Sequence, residues 1–197
     1  MENKNLKTKD LVNIGVFSAI YMVISIIFML PAAISPILWM AYPAIAGIFC
    51  GTIYMLLMSK VQKKGTALIM GLVTALIYFA IGECTWLVII TFGIAGIIAE
   101  IIRSSYGYKS LKGNVISCGV LNIGFVGSPL PMWVFHDSYV ESIIKMGMDP
   151  TYVEQMSEMV SAGSLIGMIV IAFIGGIIGA TIGKKLLKKH FQKAGIA

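Results

Sequence analysis

A small set of polar and aromatic side chains, placed beside three predicted connections at one end of the apolar segments, is best suited to contact a bound solute. Flat rings combined with a few carboxyl, amide or imidazole groups are typical of pockets for planar, mostly apolar molecules. We therefore expect a substrate-binding site. The candidates are Trp39, Tyr42, Glu83, Trp86, Asn122, Trp133, His136, Asp137 and Tyr139.

Several candidates also have a purely structural alternative. Trp39, Trp133 and Tyr139 could belong to the belt of aromatic residues that lies at membrane interfaces. Glu83 could be a solvated charge in a tight turn. Asn122, in the middle of an apolar segment, could form a hydrogen bond between helices. At the level of the sequence these alternatives stay open.

No pattern of catalytic residues stands out along the chain. The sequence lacks the nucleophile elbow G-x-S-x-G, the zinc motif H-E-x-x-H and the phosphate-binding P-loop. We expect no enzyme activity, no cofactor and no metal site, so any ATP hydrolysis has to reside in partner subunits. A soft metal or haem site near His136 is the alternative, because methionines cluster in the segment that follows it. These methionines are Met146, Met148, Met156 and Met159.

The elements that must position these residues are transmembrane helices. Of the 197 residues, 58% are hydrophobic and 12% are charged, whereas about 25% are charged in an average soluble domain. This composition excludes an ordinary soluble enzyme, a disordered protein and, despite a net charge of +6, a nucleic-acid-binding domain. Because no polar stretch is long enough for a second fold, a single transmembrane domain is expected over residues 1–197.

Six apolar segments predict an all-α integral membrane protein with six transmembrane helices. Most of them approach or exceed the roughly 20 residues that span a bilayer, and the third is short. The segments are 11–30, 38–59, 66–81, 84–102, 115–135 and 164–187, with a long loop over 136–163.

The positions of the charges predict the orientation in the membrane. Fourteen of the fifteen Lys and Arg residues precede the first segment, connect the second to the third or the fourth to the fifth, or lie at the end of the sixth and after it. With six spans these regions share one side, and Lys145 lies on the other. The positive-inside rule then places both termini in the cytoplasm of a plasma-membrane protein.

Glu100 and Arg103, three residues apart, should form an ion pair.

Prolines shape the predicted outer connections. Those at 31, 36 and 43 should prevent a continuous helix over 31–43 and leave a loop there. Pro129 and Pro131 should distort the end of the fifth helix. The long loop should contain two short helices, at 137–146 and 150–160, of which Asp149 caps the second.

Small residues recur at four-residue spacing and predict close helix contacts. In the last segment Gly175, Gly179 and Gly183 should pack within the bundle. A second small-residue face, on the first segment, is the one that we favour for docking to another membrane protein. It consists of Gly15, Ser18 and Ala19.

Several short motifs, taken in order, resemble the substrate-binding S components of energy-coupling factor ABC transporters, in particular the Trep_Strep group. The first helix opens with K-D-L-V-N-I-G at 9–15. The later part carries G-S-P-L-P-M-W at 127–133 and D-S-Y at 137–139. The chain ends with I-I-G-A-T-I-G-K-K-L-L-K-K-H-F at 177–191 and K-A-G-I-A at 193–197. Each motif is weak alone, but together they cover nearly the whole chain.

This resemblance implies an S-component-like bundle that captures a vitamin-like or cofactor-like solute outside the cell. Such proteins dock through a small-residue face of the first helix to a membrane T subunit, which two cytosolic ATPases drive. Here Gly15 and Ala19 match that face, with glycine where the usual residue is alanine. The substrate would lie near the outer face, with the 31–43 loop as its gate. A flavin, a modified base, a tetrapyrrole and a peptide-like solute all stay open.

Two other classes of function also stay open. A stand-alone secondary carrier or channel would support gradient-driven flux without ATP. An integral membrane enzyme or assembly factor would need clustered catalytic groups inside a span, and the sequence contains no such cluster.

Overall fold

The computed structural model describes residues 5–82 and 85–193, with side chains described as far as residue 187. Helices make up most of this described part, and no strand forms in it. The helices are α1 (Thr8–Met29), α2 (Pro36–Lys60), α3 (Thr66–Ala80), α4 (Leu87–Tyr106), α5 (Leu111–Asn122), α6 (Pro131–Val134), α7 (His136–Lys145), α8 (Pro150–Glu158) and α9 (Ala162–Lys193). Short 3-10 turns, Leu30–Ala33 and Ile123–Gly127, extend α1 and α5.

The apolar helices agree with an all-helical integral membrane protein. Four of them, α1 with its 3-10 extension, α2, α4 and α9, are long and apolar enough to cross a bilayer. The apolar helices Thr66–Ala80 and Leu111–Gly127 are shorter. The six predicted segments therefore correspond to four long and two shorter helices, and the number of crossings and the orientation stay predictions.

The segment over 31–43 is not the loop that the sequence predicted. Pro36 is the first residue of α2, where a missing N–H costs little because the first helical N–H groups have no partner within the helix. Pro43 lies inside α2, and only Ile34 and Ser35 separate this helix from the preceding 3-10 turn. The predicted break in the helix is confirmed at Ile34 and Ser35, but the prediction of a gating loop over the whole of 31–43 was wrong.

The fifth predicted span, 115–135, is also wrong in its second half. The helix α5 ends at Asn122, and α6 begins at Pro131 after a 3-10 turn. Prolines in this stretch remove backbone donors and disfavour helical backbone in the residues before them. The predicted distortion is confirmed, but Trp133 lies in the separate helix α6 and His136 begins α7.

The long connection folds into two short helices, as predicted. Asp149 caps α8, because its Oδ1 atom accepts hydrogen bonds from the backbone N–H groups of Thr151 (2.8 Å) and Tyr152 (3.1 Å). A cap of this kind satisfies donors that the first turn of a helix leaves free. The end of the bundle that carries α6, α7 and α8 is called the loop end below.

The opposite end, called the basic end, brings together the start of α1, the α2–α3 turn and the α4–α5 turn. Lys63 Nζ lies 2.7 Å from Asp10 Oδ2 of α1. Glu100 of α4 accepts hydrogen bonds from the N–H groups of Gly65 and Ala67 at the start of α3, at 2.7 and 3.0 Å. A carboxylate is favourable at this position, because the helix dipole is positive at its N-terminus.

Arg103 is fully buried and completes the basic end. Its Nη1 atom lies 3.4 Å from Glu100 Oε2, which confirms the predicted ion pair. Its Nε atom donates to Asn114 Oδ1 of α5 at 3.0 Å. The guanidinium also donates to the carbonyls of Lys63 and Val61, just after α2. One residue therefore connects α2, α4 and α5.

The helices α2 and α9 pack with backbone against backbone. A Cβ atom added to Gly179 would lie 2.9 Å from the carbonyl carbon of Ile48, and one added to Gly183 would lie 2.9 Å from Cα of Thr52. These separations leave no room for side chains. The glycine series of α9 therefore serves packing within the bundle, as predicted.

We expect Gly179→Leu to destabilise the protein, because overpacking a tight contact costs about 1–3 kcal/mol or more. Thermal unfolding in detergent should show a clearly lower midpoint. Gly15→Leu is the matched control, since no atom lies within 4 Å of a Cβ built at Gly15. An equal loss of stability in both variants would contradict the assignment of the α2–α9 contact.

We also expect Arg103→Met to cost about 3–5 kcal/mol, because it leaves the Glu100 carboxylate buried without its partner. The control is Lys145→Met, which removes an exposed ion pair with Glu141 whose charged atoms lie 2.5 Å apart. Exposed pairs contribute about 0–1 kcal/mol. Denaturation of both variants in the same detergent measures the difference, and similar midpoints would refute the structural role of Arg103.

Candidate functional site

Three of the predicted site residues meet at the loop end. Trp39 of α2 and Trp133 of α6 are stacked, with ring centroids 5.8 Å apart and an interplanar angle of 10°. Both rings, and that of Tyr139 on α7, pack against buried apolar side chains of the short helices. This group, called the cap cluster, consists of Met132, Ile143, Val153 and Met156.

Polar contacts attach the short helices to the rest of the bundle. Trp133 Nε1 donates a hydrogen bond to the carbonyl of Ser161, just before α9, at 2.8 Å. The Tyr152 hydroxyl of α8 donates to the carbonyl of Ala32, in the 3-10 turn after α1. Burial raises the pKa of Tyr152, so this hydroxyl keeps its proton at neutral pH and remains a donor.

Three other predicted residues, His136, Asp137 and Trp86, do not join the cap cluster. His136 Nδ1 lies 3.0 Å from Asp137 Oδ1, and the Asp137 side chain is fully exposed. Trp86 is half-exposed, and its ring centroid lies 6.0 Å from that of Phe135. Glu83 lies outside the described residues.

Tyr42 belongs to a deeper group of rings that sequence reasoning missed. Phe125, in the 3-10 turn after α5, stacks on Tyr21 with centroids 5.6 Å apart. It makes edge contacts with three further rings, an arrangement favoured by the charge distribution of aromatic rings. This group, called the central aromatic cluster, consists of Tyr21, Tyr42, Tyr78, Phe92 and Phe125, all almost fully buried.

Hydroxyl groups connect the central aromatic cluster across three helices. Tyr78 Oη of α3 lies 2.6 Å from Ser25 Oγ of α1 and 3.0 Å from Tyr42 Oη of α2. The spacing of Tyr21 and Ser25 was a usable sequence signal, because residues four apart share one helix face. Polar groups on that face of an apolar span indicate a hydrogen-bonded interior.

Asn122 joins α2 and α9 where their backbones lie close together. It is fully buried, and its Nδ2 atom donates to the carbonyls of Pro43 (2.9 Å) and Ala172 (2.6 Å). Its Oδ1 atom has no hydrogen-bond partner. The interhelical hydrogen bond that was the structural alternative for Asn122 is therefore present, and the Oδ1 atom remains without a partner.

The predicted docking face is only partly exposed. Gly15 has no atom within 4 Å of a Cβ built on it, and Ala19 is exposed. Ser18 is fully buried, so its inclusion in the docking face was wrong. The neighbouring helices cover the side of α1 that carries Ser18, whereas α1 as a whole is the least buried of the four long helices.

The structure adds no support for the alternative of a metal or haem site. Among the described residues, no group of three or more His, Cys, Asp and Glu side chains could hold a metal ion. Met156 belongs to the cap cluster, and Met146 is largely exposed.

The apolar helices and the buried clusters define an integral membrane protein with an all-helical fold. A family model described as a hypothetical bacterial integral membrane protein (Trep_Strep) matches residues 8–193, and the chain belongs to this family. No curated protein and no solved structure matches the chain.

We expect Tyr152→Phe to loosen the short helices without unfolding the bundle. A hydrogen bond contributes about 0.5–1.5 kcal/mol, so amide hydrogen exchange in α7 and α8 should become about three- to tenfold faster. Exchange in α2 and α9 should not change. Tyr106→Phe, an exposed ring near the basic end, is the control. Unchanged exchange in α8 would show that the bond to Ala32 does not hold this helix.

Proposed function

We propose that this protein is the solute-binding subunit of an energy-coupling factor transporter. It captures a small vitamin-like or cofactor-like solute at the loop end and delivers it inward when partner subunits hydrolyse ATP. The partners are a membrane T subunit and two cytosolic ATPases. In this proposal the chain itself has no enzymatic activity, carries no cofactor and binds no nucleic acid.

The observation that carries this proposal is the gathering of Trp39, Trp133 and Tyr139 on the cap cluster. Aromatic and apolar surfaces with few charges suit a planar, mostly apolar solute. The short helices that bear the cap cluster would cover the solute after it binds. This role replaces the gate that the sequence placed at 31–43, where most of the segment is helical.

The proposed membrane arrangement has six crossings, both termini in the cytoplasm and the loop end outside the plasma membrane. The basic end supports it, because Lys63 and Arg103 lie there together with the start of α1. The positive-inside rule assigns such an end to the cytoplasm. The 15 residues of α3 extend over about 22 Å, so a crossing at this helix requires a locally thinner bilayer.

The proposed contact with the T subunit is the exposed side of α1 around Gly15 and Ala19. Small residues on a membrane helix allow another helix to approach closely. The open space at Gly15 supports this choice, because no other part of the described chain occupies it.

The test is co-purification and uptake after co-expression with a T subunit and two ATPases. We expect Gly15→Trp to abolish complex formation and ATP-dependent uptake, because the large ring blocks close approach. Ile94→Trp is the control, since Ile94 is an exposed position on another long helix, α4, and it should leave both unchanged. Failure of the wild type to form any complex would refute the proposal.

Reconstitution of the purified protein alone separates this proposal from a stand-alone carrier or channel. Liposomes that contain only this chain should show no solute flux down an imposed gradient. Flux without ATP and without partners would favour the carrier.

A further inference from the structure

The orientation of the Asn122 side-chain amide is fixed by its two partners. Both are backbone carbonyls, of Pro43 and Ala172, and a carbonyl oxygen can only accept. A flipped amide would place Oδ1 against two acceptors. The atom without a partner is therefore Oδ1, a strong acceptor.

Buried acceptors in folded proteins nearly always receive a hydrogen bond, and an exception needs an explanation. Asn122 is fully buried, so bulk water does not supply the missing donor. The position of Asn122 is nevertheless maintained by the two bonds that its Nδ2 atom donates. A preorganised acceptor of this kind is suited to a donor that arrives from outside the protein.

Apolar side chains connect the surroundings of Asn122 with the loop end. Ala172, whose carbonyl binds Asn122, packs in one cluster with Val126 and Met168, and Met40 and Trp133 pack against this cluster. Trp133 also packs against the cap cluster. Methionine side chains are flexible and can rearrange around a guest. A solute that enters under the short helices would therefore meet Met40 and Met168 in the cluster that contains Ala172, the partner of Asn122.

The charged side chains of the described interior restrict which charge the solute can carry. Its buried ionised side chains are Glu100 and Arg103, which pair with each other at the basic end. An ion held beside Asn122 would have no counterion among the described residues, and burial of an unpaired charge is strongly unfavourable. The group that reaches Asn122 therefore has to be neutral.

We infer that Asn122 Oδ1 accepts a hydrogen bond from an uncharged N–H or O–H group of the solute, whose apolar body lies among Met40, Val126, Met168 and Trp133. The role of this solute as transported cargo rests on the proposed function. The binding site itself is a property of this chain alone.

The test compares two probes of nearly equal shape on the purified full-length protein in detergent. Indole carries one neutral N–H donor, and indene has a CH2 group in its place. We expect the ratio of indole to indene affinity, measured by calorimetry, to be about tenfold higher for the wild type than for Asn122→Leu. Met58→Leu is the control, because Met58 is a buried methionine outside the proposed site, and it should keep the wild-type ratio.

Three results would overturn the inference. One is an equal ratio in the wild type and Asn122→Leu. Another is the absence of indole binding to the wild type. The third is tighter binding of a charged probe, either indole-3-acetate or tryptamine, than of indole.

A second measurement needs no substitution, because Asn122→Leu also removes two donated bonds and can prevent folding. The ¹⁵N resonance of the Asn122 side-chain amide should shift when indole is added, and it should not shift with indene. An unchanged resonance in both titrations contradicts the inference. Both measurements use the isolated chain. If indole binds as expected but no complex with the T subunit and the ATPases forms, only the transporter role is refuted. If the complex forms but the affinity ratios of the wild type and Asn122→Leu are equal, only the role of Asn122 is refuted.

Discussion

The ion pair between Glu100 and Arg103 is the interaction on which the arrangement of the helices most depends. Neither charge is tolerable in this buried place without the other. Each also binds backbone groups that helix ends leave free, since Glu100 accepts from the start of α3 and Arg103 donates to carbonyls just after α2. With Asn114 on α5 as a further partner, one pair on α4 determines which ends of four helices meet.

The second constraint is steric and lies between α2 and α9. A Cβ atom on Gly51 would lie 2.7 Å from Cα of Gly179, so the two backbones approach without side chains between them. Only this closeness allows one amide group, that of Asn122, to reach the carbonyls of both helices. The packing glycines and the candidate binding residue are therefore parts of one arrangement, and loss of the first would displace the second.

Much of this fold could be predicted, because the sequence patterns that specify it are local. Apolar runs predicted the long helices, and the spacing of Glu100 and Arg103 predicted their ion pair. The central position of Phe125 could not be predicted, since an apolar run does not show where a helix tightens into a 3-10 turn. The burial of Ser18 depends on which helices pack on α1, and spacing within α1 does not contain that information. The effect of Pro43 was predicted wrongly for the same reason. A helix can continue through proline when contacts with other helices hold it, and the local sequence does not show those contacts.

The two ends of the molecule differ in the free energy that is needed to open them. Opening the basic end would remove the backbone groups that bind Glu100 and Arg103, and a buried charge without these partners is strongly unfavourable. At the loop end the short helices are attached through neutral contacts, such as the Tyr152 hydroxyl on the carbonyl of Ala32 and the Trp133 indole on that of Ser161. Segments held by few and neutral contacts open at low free energy while the rest stays folded. Under the proposed function, a solute would therefore reach Asn122 most easily from the loop end, through movement of the cap cluster and without rearrangement of α2 and α9.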